Sequence, residues 1–179
     1  MGRINTHKSE DASAGVSLEV MRQAIMMQLT LPGAPTVYYG DEVGVCGFTD
    51  PDSRRTYPWG SENLELLEYH RYLNRWHRLR KELRHGSLIK LISSNGTVGY
   101  ARVSKENISV IIIHSGKDKR KLDIPLYLTG MRDNAAISRV IYTSPSGYNV
   151  GRVTYFSDNG YLSLEIEPNS GYLLVSENL

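Results

Sequence analysis

The residues whose types and spacing could do chemistry cluster in one mid-chain stretch. Asp50-Pro51-Asp52-Ser53-Arg54 sets a carboxylate and a guanidinium four positions apart. A carboxylate that accepts hydroxyl protons beside a fixed guanidinium donor suits a neutral polyol. The same two groups could instead close on each other and fold the loop, and a pre-organised pair can do both. Tyr57 and Trp59, just downstream, could add a stacking platform. Asp41-Glu42 imitates a general acid beside a nucleophile, but that chemistry wants carboxylates facing each other across a bond, roughly 5–5.5 Å apart. Neighbours in sequence read better as structural.

Other chemistry finds little footing. His7, His70, His77, His85 and His114 show no metal-ligand spacing, and His70 and His77, seven apart and flanked by aromatics, read as packing. Cys46 is the one cysteine, so neither an intrachain disulfide nor a Cys-based metal site can be built. There is no Gly-rich phosphate loop and no Gly-x-Ser-x-Gly elbow. The expectation is no cofactor, no metal and no catalytic residue, with Asp50 and Arg54 as candidate substrate-binding groups.

The 179 residues suffice for one good core, or a small domain with part of a second. A formal net charge of +2 argues for neither a nucleic-acid nor a membrane partner. Twelve tyrosines accompany only two phenylalanines, a balance that suits sugar-lined clefts and half-buried strands alike. The first residues, Met1–Lys8, carry no apolar signal region, and no stretch nears the roughly 20 apolar residues needed to span a bilayer. The expectation from these residues is a cytoplasmic chain.

These residues need elements to position them. Residues 1–16 are polar, aperiodic and expected to be a flexible lead. Ser17 is a plausible N-cap for a helix over Leu18 to Leu31, with Glu19 in its first turn and Pro32-Gly33 ending it. This helix is apolar on most sides and expects several neighbours. Thr36-Val37-Tyr38-Tyr39 reads as a short buried strand, and residues 40–63 as a long irregular loop of the functional kind. Leu64 to Leu83 is the clearest helix, with Tyr69, Tyr72, Leu73, Trp76, Leu79 and Leu83 at three- and four-residue spacing. Its arginines read as a solvated face. After Gly86 come eight short β-rich runs, Leu88–Ile92, Gly99–Val103, Ile108–His114, Lys121–Leu126, Val140–Thr143, Arg152–Phe156, Leu162–Ile166 and Tyr172–Val175. Separated by turn signals, they predict an antiparallel sandwich over 87–179, with a domain boundary near residue 86.

Two segments carry a resemblance. Leu29-Thr30-Leu31-Pro32-Gly33-Ala34-Pro35-Thr36-Val37-Tyr38-Tyr39-Gly40-Asp41-Glu42-Val43-Gly44 and Asp50-Pro51-Asp52-Ser53-Arg54-Arg55-Thr56-Tyr57-Pro58-Trp59 together resemble the end of the catalytic (β/α)8 barrel in the α-amylase family of glycoside hydrolases. The likeness is strongest to the branch of neopullulanase, cyclomaltodextrinase and maltogenic amylase. Tyr69–Leu83 resembles the last barrel helix, and the β-rich remainder the C-terminal sandwich. The resemblance implies an α+β fragment: the last helix–strand–helix part of the barrel at 17–86, followed by an antiparallel all-β domain. It also places the aspartate and arginine seen here as Asp50 and Arg54 against the sugar on the non-reducing side of the cleavage point.

The same resemblance implies an absence. The family holds its nucleophile, its acid/base and a third assisting aspartate upstream of the helix that starts here at Ser17. Thr6-His7-Lys8-Ser9-Glu10 lacks the His-Asp pair expected there. The leading expectation is therefore an inactive C-terminal part of an α-glucan hydrolase, acting on starch, maltooligosaccharides or cyclodextrins only with the remainder of the barrel. The alternative is a self-standing carbohydrate-binding or scaffolding module built on Asp50, Arg54, Tyr57 and Trp59. In either case the apolar first half, with Val20, Met21, Ile25, Met26, Leu29, Val37 and Tyr39 deprived of barrel neighbours, is expected to make the chain self-associate as a homo-oligomer.

Overall fold

A computed structural model describes residues 12–176. The stretch around His7 and most of the polar lead lie outside the described residues, while Ser13 to Val16 close a turn through a Val16 N–H to Ser13 carbonyl bond of 3.1 Å.

The helical layer comes first. Helix α1 spans Leu18–Thr30; the Ser17 hydroxyl accepts from the Val20 amide, and Glu19 lies in the first turn as the sequence reading has it. Helix α2 spans Leu64–Leu79, capped by the Asn63 side chain accepting from Leu66 N–H at 3.0 Å. The predicted continuation to Leu83 is interrupted. Arg80 is extended, and a short α3 follows over Lys81–His85. The break has a cause: the Arg80 guanidinium donates to the Ile108 carbonyl at 3.1 Å and to Glu82 at 2.5 Å, while Ser109 Oγ donates to the same Glu82 oxygen at 2.6 Å. These bonds turn the chain down onto the sheet.

The remainder is antiparallel β structure: β1 (Ser87–Ser94), β2 (Thr97–Val103), β3 (Ile108–His114), β4 (Arg120–Pro125), β5 (Ala136–Ser144), β6 (Gly147–Asn149), β7 (Val153–Phe156), β8 (Tyr161–Ile166) and β9 (Ser170–Ser176). Seven strands form one sheet in the order β1-β2-β3-β9-β5-β6, with β7 on the same edge of β5 as β6; β4 and β8 form a separate ribbon. All eight β-rich runs of the sequence are strands. The ninth, β6, falls where Ser146-Gly147 reads as a turn, because three residues are too few to show a period.

Strand period explains the layers. Along β3 every residue is buried, with Ile111 and Ile113 on one face and Ile108, Val110 and Ile112 on the other. The first face packs with Ile25, Met26, Leu29, Leu66, Tyr69 and Leu73 from the helices. The second packs with Ile124, Leu162, Leu164 and Ile166 from the ribbon. The fold is thus helices, sheet and ribbon in three layers.

Two expectations are corrected. Thr36–Tyr39 is not a strand: it pairs with nothing among the described residues, and Val37, Tyr38 and Tyr39 face solvent. A buried parallel strand needs flanking strands to take its N–H and C=O groups, and the described residues offer none there. Nor is α1 stripped bare, since Ile25, Met26 and Leu29 are buried against the sheet and Val20 alone of its expected patch is largely exposed. The first half finds its neighbours in the second half of the same chain.

Candidate functional site

The loop between α1 and α2 gathers both segments singled out in the sequence. Gly40 has φ 93°, a left-handed value that suits glycine, and its carbonyl accepts from Val43 and Val45 amides at 3.1 and 2.9 Å. A short 3-10 turn over Asp41–Val43 results, and Glu42 turns back to accept from the Gly40 amide at 2.9 Å. The Asp41-Glu42 pair therefore builds the turn, in keeping with its structural reading.

Asp50 and Arg54 meet. Arg54 Nε lies 2.8 Å from Asp50 Oδ1 and Nη2 lies 3.0 Å from Oδ2, a two-pronged pair flanking a second 3-10 turn at Asp52–Arg54. The side chains keep 70% and 61% of their surface in solvent. An exposed pair adds little stability, so what the geometry supplies is orientation. Tyr57 and Trp59 stand nearby in sequence, with ring centroids 4.5 Å apart and Trp59 82% exposed.

A second, parallel pair escaped the sequence reading. Asp52 takes Arg55 Nε at 3.0 Å and Nη2 at 2.8 Å, and also accepts from the Phe48 amide at 2.8 Å. The Arg55 bonds, then the Phe48 bond, hold the Asp52 carboxyl below its ordinary range. The Tyr39 hydroxyl donates to the Arg55 carbonyl at 3.0 Å and ties the first segment to the second. Between them opens a cleft of about 220 Å³ lined by Tyr38, Tyr39, Asp41, Val45, Gly47, Ser53 and Arg55. The signal available in sequence was the repeated acid–base spacing, Asp50 to Arg54 and Asp52 to Arg55; it could not say which pair would wall a cleft.

Three of the histidines are engaged with the backbone around them. His70 is buried with Nδ1 3.1 Å from the Leu66 carbonyl, and burial lowers its pKa. His114 bridges Thr97 Oγ1 at 2.8 Å and the Asp118 carbonyl at 2.9 Å. His77 Nδ1 lies 2.8 Å from the Leu29 carbonyl near the end of α1. Among the described residues, no helix is long and apolar enough to cross a membrane.

Comparison with known proteins finds relatives for the chain. The chain is 25% identical over 183 aligned residues to an amylopullulanase of Thermoanaerobacterium thermosulfurigenes, covering 96% of this chain and 9% of that one. It is 29% identical over 156 residues to a cyclomaltodextrinase of Thermoanaerobacter pseudethanolicus, covering 86% and 24%. The chain is homologous to part of the α-amylase-family enzymes. The fold agrees: a debranching enzyme from Nostoc punctiforme superposes with a TM-score of 0.70 at 26% identity, over 88% of this chain and 31% of the other. The mostly antiparallel β structure with few helices is similar to the C-terminal domains of α-amylase-family enzymes. No family model matches the chain. The chain spans between 9% and 24% of the length of these two relatives.

Proposed function

We propose that this chain is the C-terminal part of an α-amylase-type glycoside hydrolase that acts on α-glucans such as starch, maltooligosaccharides and cyclodextrins. Residues 17–86 contribute the end of its (β/α)8 barrel, and residues 87–179 its C-terminal β domain. Asp50 and Arg54 bind substrate: the carboxylate accepts sugar hydroxyls and the guanidinium donates to them. The observation that carries the reading is the two-pronged Asp50–Arg54 pair, exposed on a Gly-locked loop in a chain homologous to α-glucan enzymes. The pair positions a neutral ligand but supplies neither nucleophile nor proton donor, so the chemistry belongs to carboxylates elsewhere in the barrel.

Val37 lies on the edge at which the remainder of the barrel docks. In isolation this edge, with Val20, drives self-association into a homo-oligomer. The bare chain is expected not to release reducing ends from starch, pullulan or cyclodextrins. Turnover that survives re-purification and vanishes on replacing one of its acidic residues overturns this reading.

A second reading draws on Trp59, which is 82% exposed beside Tyr57. An open aromatic pair next to an oriented ion pair would also serve a self-standing sugar-binding module. Such a module binds maltooligosaccharides with unchanged affinity when the rest of the barrel is absent, whereas a barrel fragment gains affinity on rejoining it.

A further inference from the structure

We infer that the cleft between Tyr39 and Arg55 is a binding site for a single neutral sugar ring, separate from the Asp50–Arg54 pair. The inference rests on the α-glucan reading for the class of sugar and on the cleft's own walls for the site. Neither Asp50 nor Arg54 lines it.

Size is the first argument. At about 220 Å³ the cleft is smaller than the ~300–1,000 Å³ of sites for drug-sized ligands. It suits one ring rather than a chain. Its walls are also held in place. A Cβ on Gly47 would sit 2.8 Å from the Asp52 carbonyl oxygen, so only glycine lets the two limbs of the loop approach so closely. Asp52 binds the Phe48 amide on one limb and Arg55 on the other, and the Tyr39–Arg55 bond closes the third side. A site whose groups are fixed before binding loses less entropy in binding.

Charge then selects the ligand. Asp52 neutralises Arg55, so the remaining formal charge on the lining is the negative charge of Asp41. An anion such as phosphate meets repulsion there, while a polyol finds a carboxylate acceptor, the Ser53 hydroxyl and the faces of Tyr38 and Tyr39, whose centroids lie 4.7 Å apart. Sugars combine apolar C–H faces with hydroxyl edges, and this lining offers both.

The test is a titration of the whole chain with maltotriose, followed by amide chemical shifts, with inorganic phosphate as the control probe. The expected result is shift changes at Val45, Gly47 and Ser53. Affinity should fall at least threefold in Tyr38→Ala and in Ser53→Ala, with unaltered circular dichroism. Ser53→Ala removes one surface hydroxyl and guards against a folding defect in the tyrosine variant. Shifts confined to Asp50, Arg54, Tyr57 and Trp59 overturn the cleft and leave the α-glucan reading standing. Shifts in the cleft that persist unchanged in Asp50→Ala support a site separate from the Asp50–Arg54 pair, and cleft shifts lost in that variant overturn the separation. Phosphate binding the cleft more tightly than maltotriose, or no maltotriose shifts at tens of millimolar, overturns the inference.

Discussion

Arg102, on β2, reaches across the helix–sheet interface and donates to the carbonyl of Thr30, the last residue of α1, at 2.7 Å. Its other terminal nitrogen donates to the Gly86 carbonyl at 2.9 Å, where α3 ends. One buried guanidinium thus serves the C-terminal ends of two helices, where carbonyls lack intrahelical partners and the dipole favours a cation. The Thr30 hydroxyl meets Tyr100 Oη at 2.6 Å beside it, and burial pushes the Tyr100 hydroxyl up to about 12.

Arg102→Met is expected to cost about 3 kcal/mol, because one buried and one half-buried carbonyl lose a charged donor while the stem is replaced in kind. Urea unfolding should show a lower midpoint with an unchanged slope. A loss under about 0.5 kcal/mol would mean that water or a neighbour takes over both carbonyls.

Ile25→Ala is expected to cost about 2–4 kcal/mol. Ile25 is fully buried between α1 and the sheet, in the cluster that holds Ile111, Val140 and Leu173. Fluorescence and far-ultraviolet circular dichroism should move together to a lower midpoint. If the helical signal is lost first while the sheet melts unchanged, residues 17–86 and 87–179 behave as separate units.

Self-association is expected to depend on the exposed edge rather than on the core of α1. Val20→Asp should shift light scattering towards monomer without lowering stability, since Val20 is already largely exposed. A strictly monomeric native chain refutes the proposed homo-oligomer, as does an oligomer indifferent to that charge.

The burial of His70 predicts a pH dependence with a definite sign. Desolvation lowers its folded pKa below the unfolded value; the Leu66 carbonyl, Glu42 and Asp41 pull the other way without reversing it. The unfolded chain therefore binds the proton more readily, and stability rises with pH. The contribution is complete above the unfolded pKa, near 6.5, and is lost as pH falls through the folded value. Thermal midpoints of the native chain should fall below pH 6.5 more steeply than those of His70→Gln. Parallel curves refute the assignment.

The sequence by itself determined the local elements and the loop that carries Asp50 and Arg54. Ser17 announces its helix because a cap is a short-range bond, and the eight β-rich runs announce strands because period and turn residues are local. The Asp50–Arg54 spacing was legible for the same reason: four residues cannot separate far. Tertiary structure decided the rest. It set α1 on the sheet rather than exposed, since apolar burial has no direction and any nearby greasy face will serve. It left Thr36–Tyr39 without a ladder, because a strand is made by its neighbours and not by its own β-branched residues. It made Arg55, held by Asp52, part of the wall of a cleft, because walls belong to segments that only folding brings together.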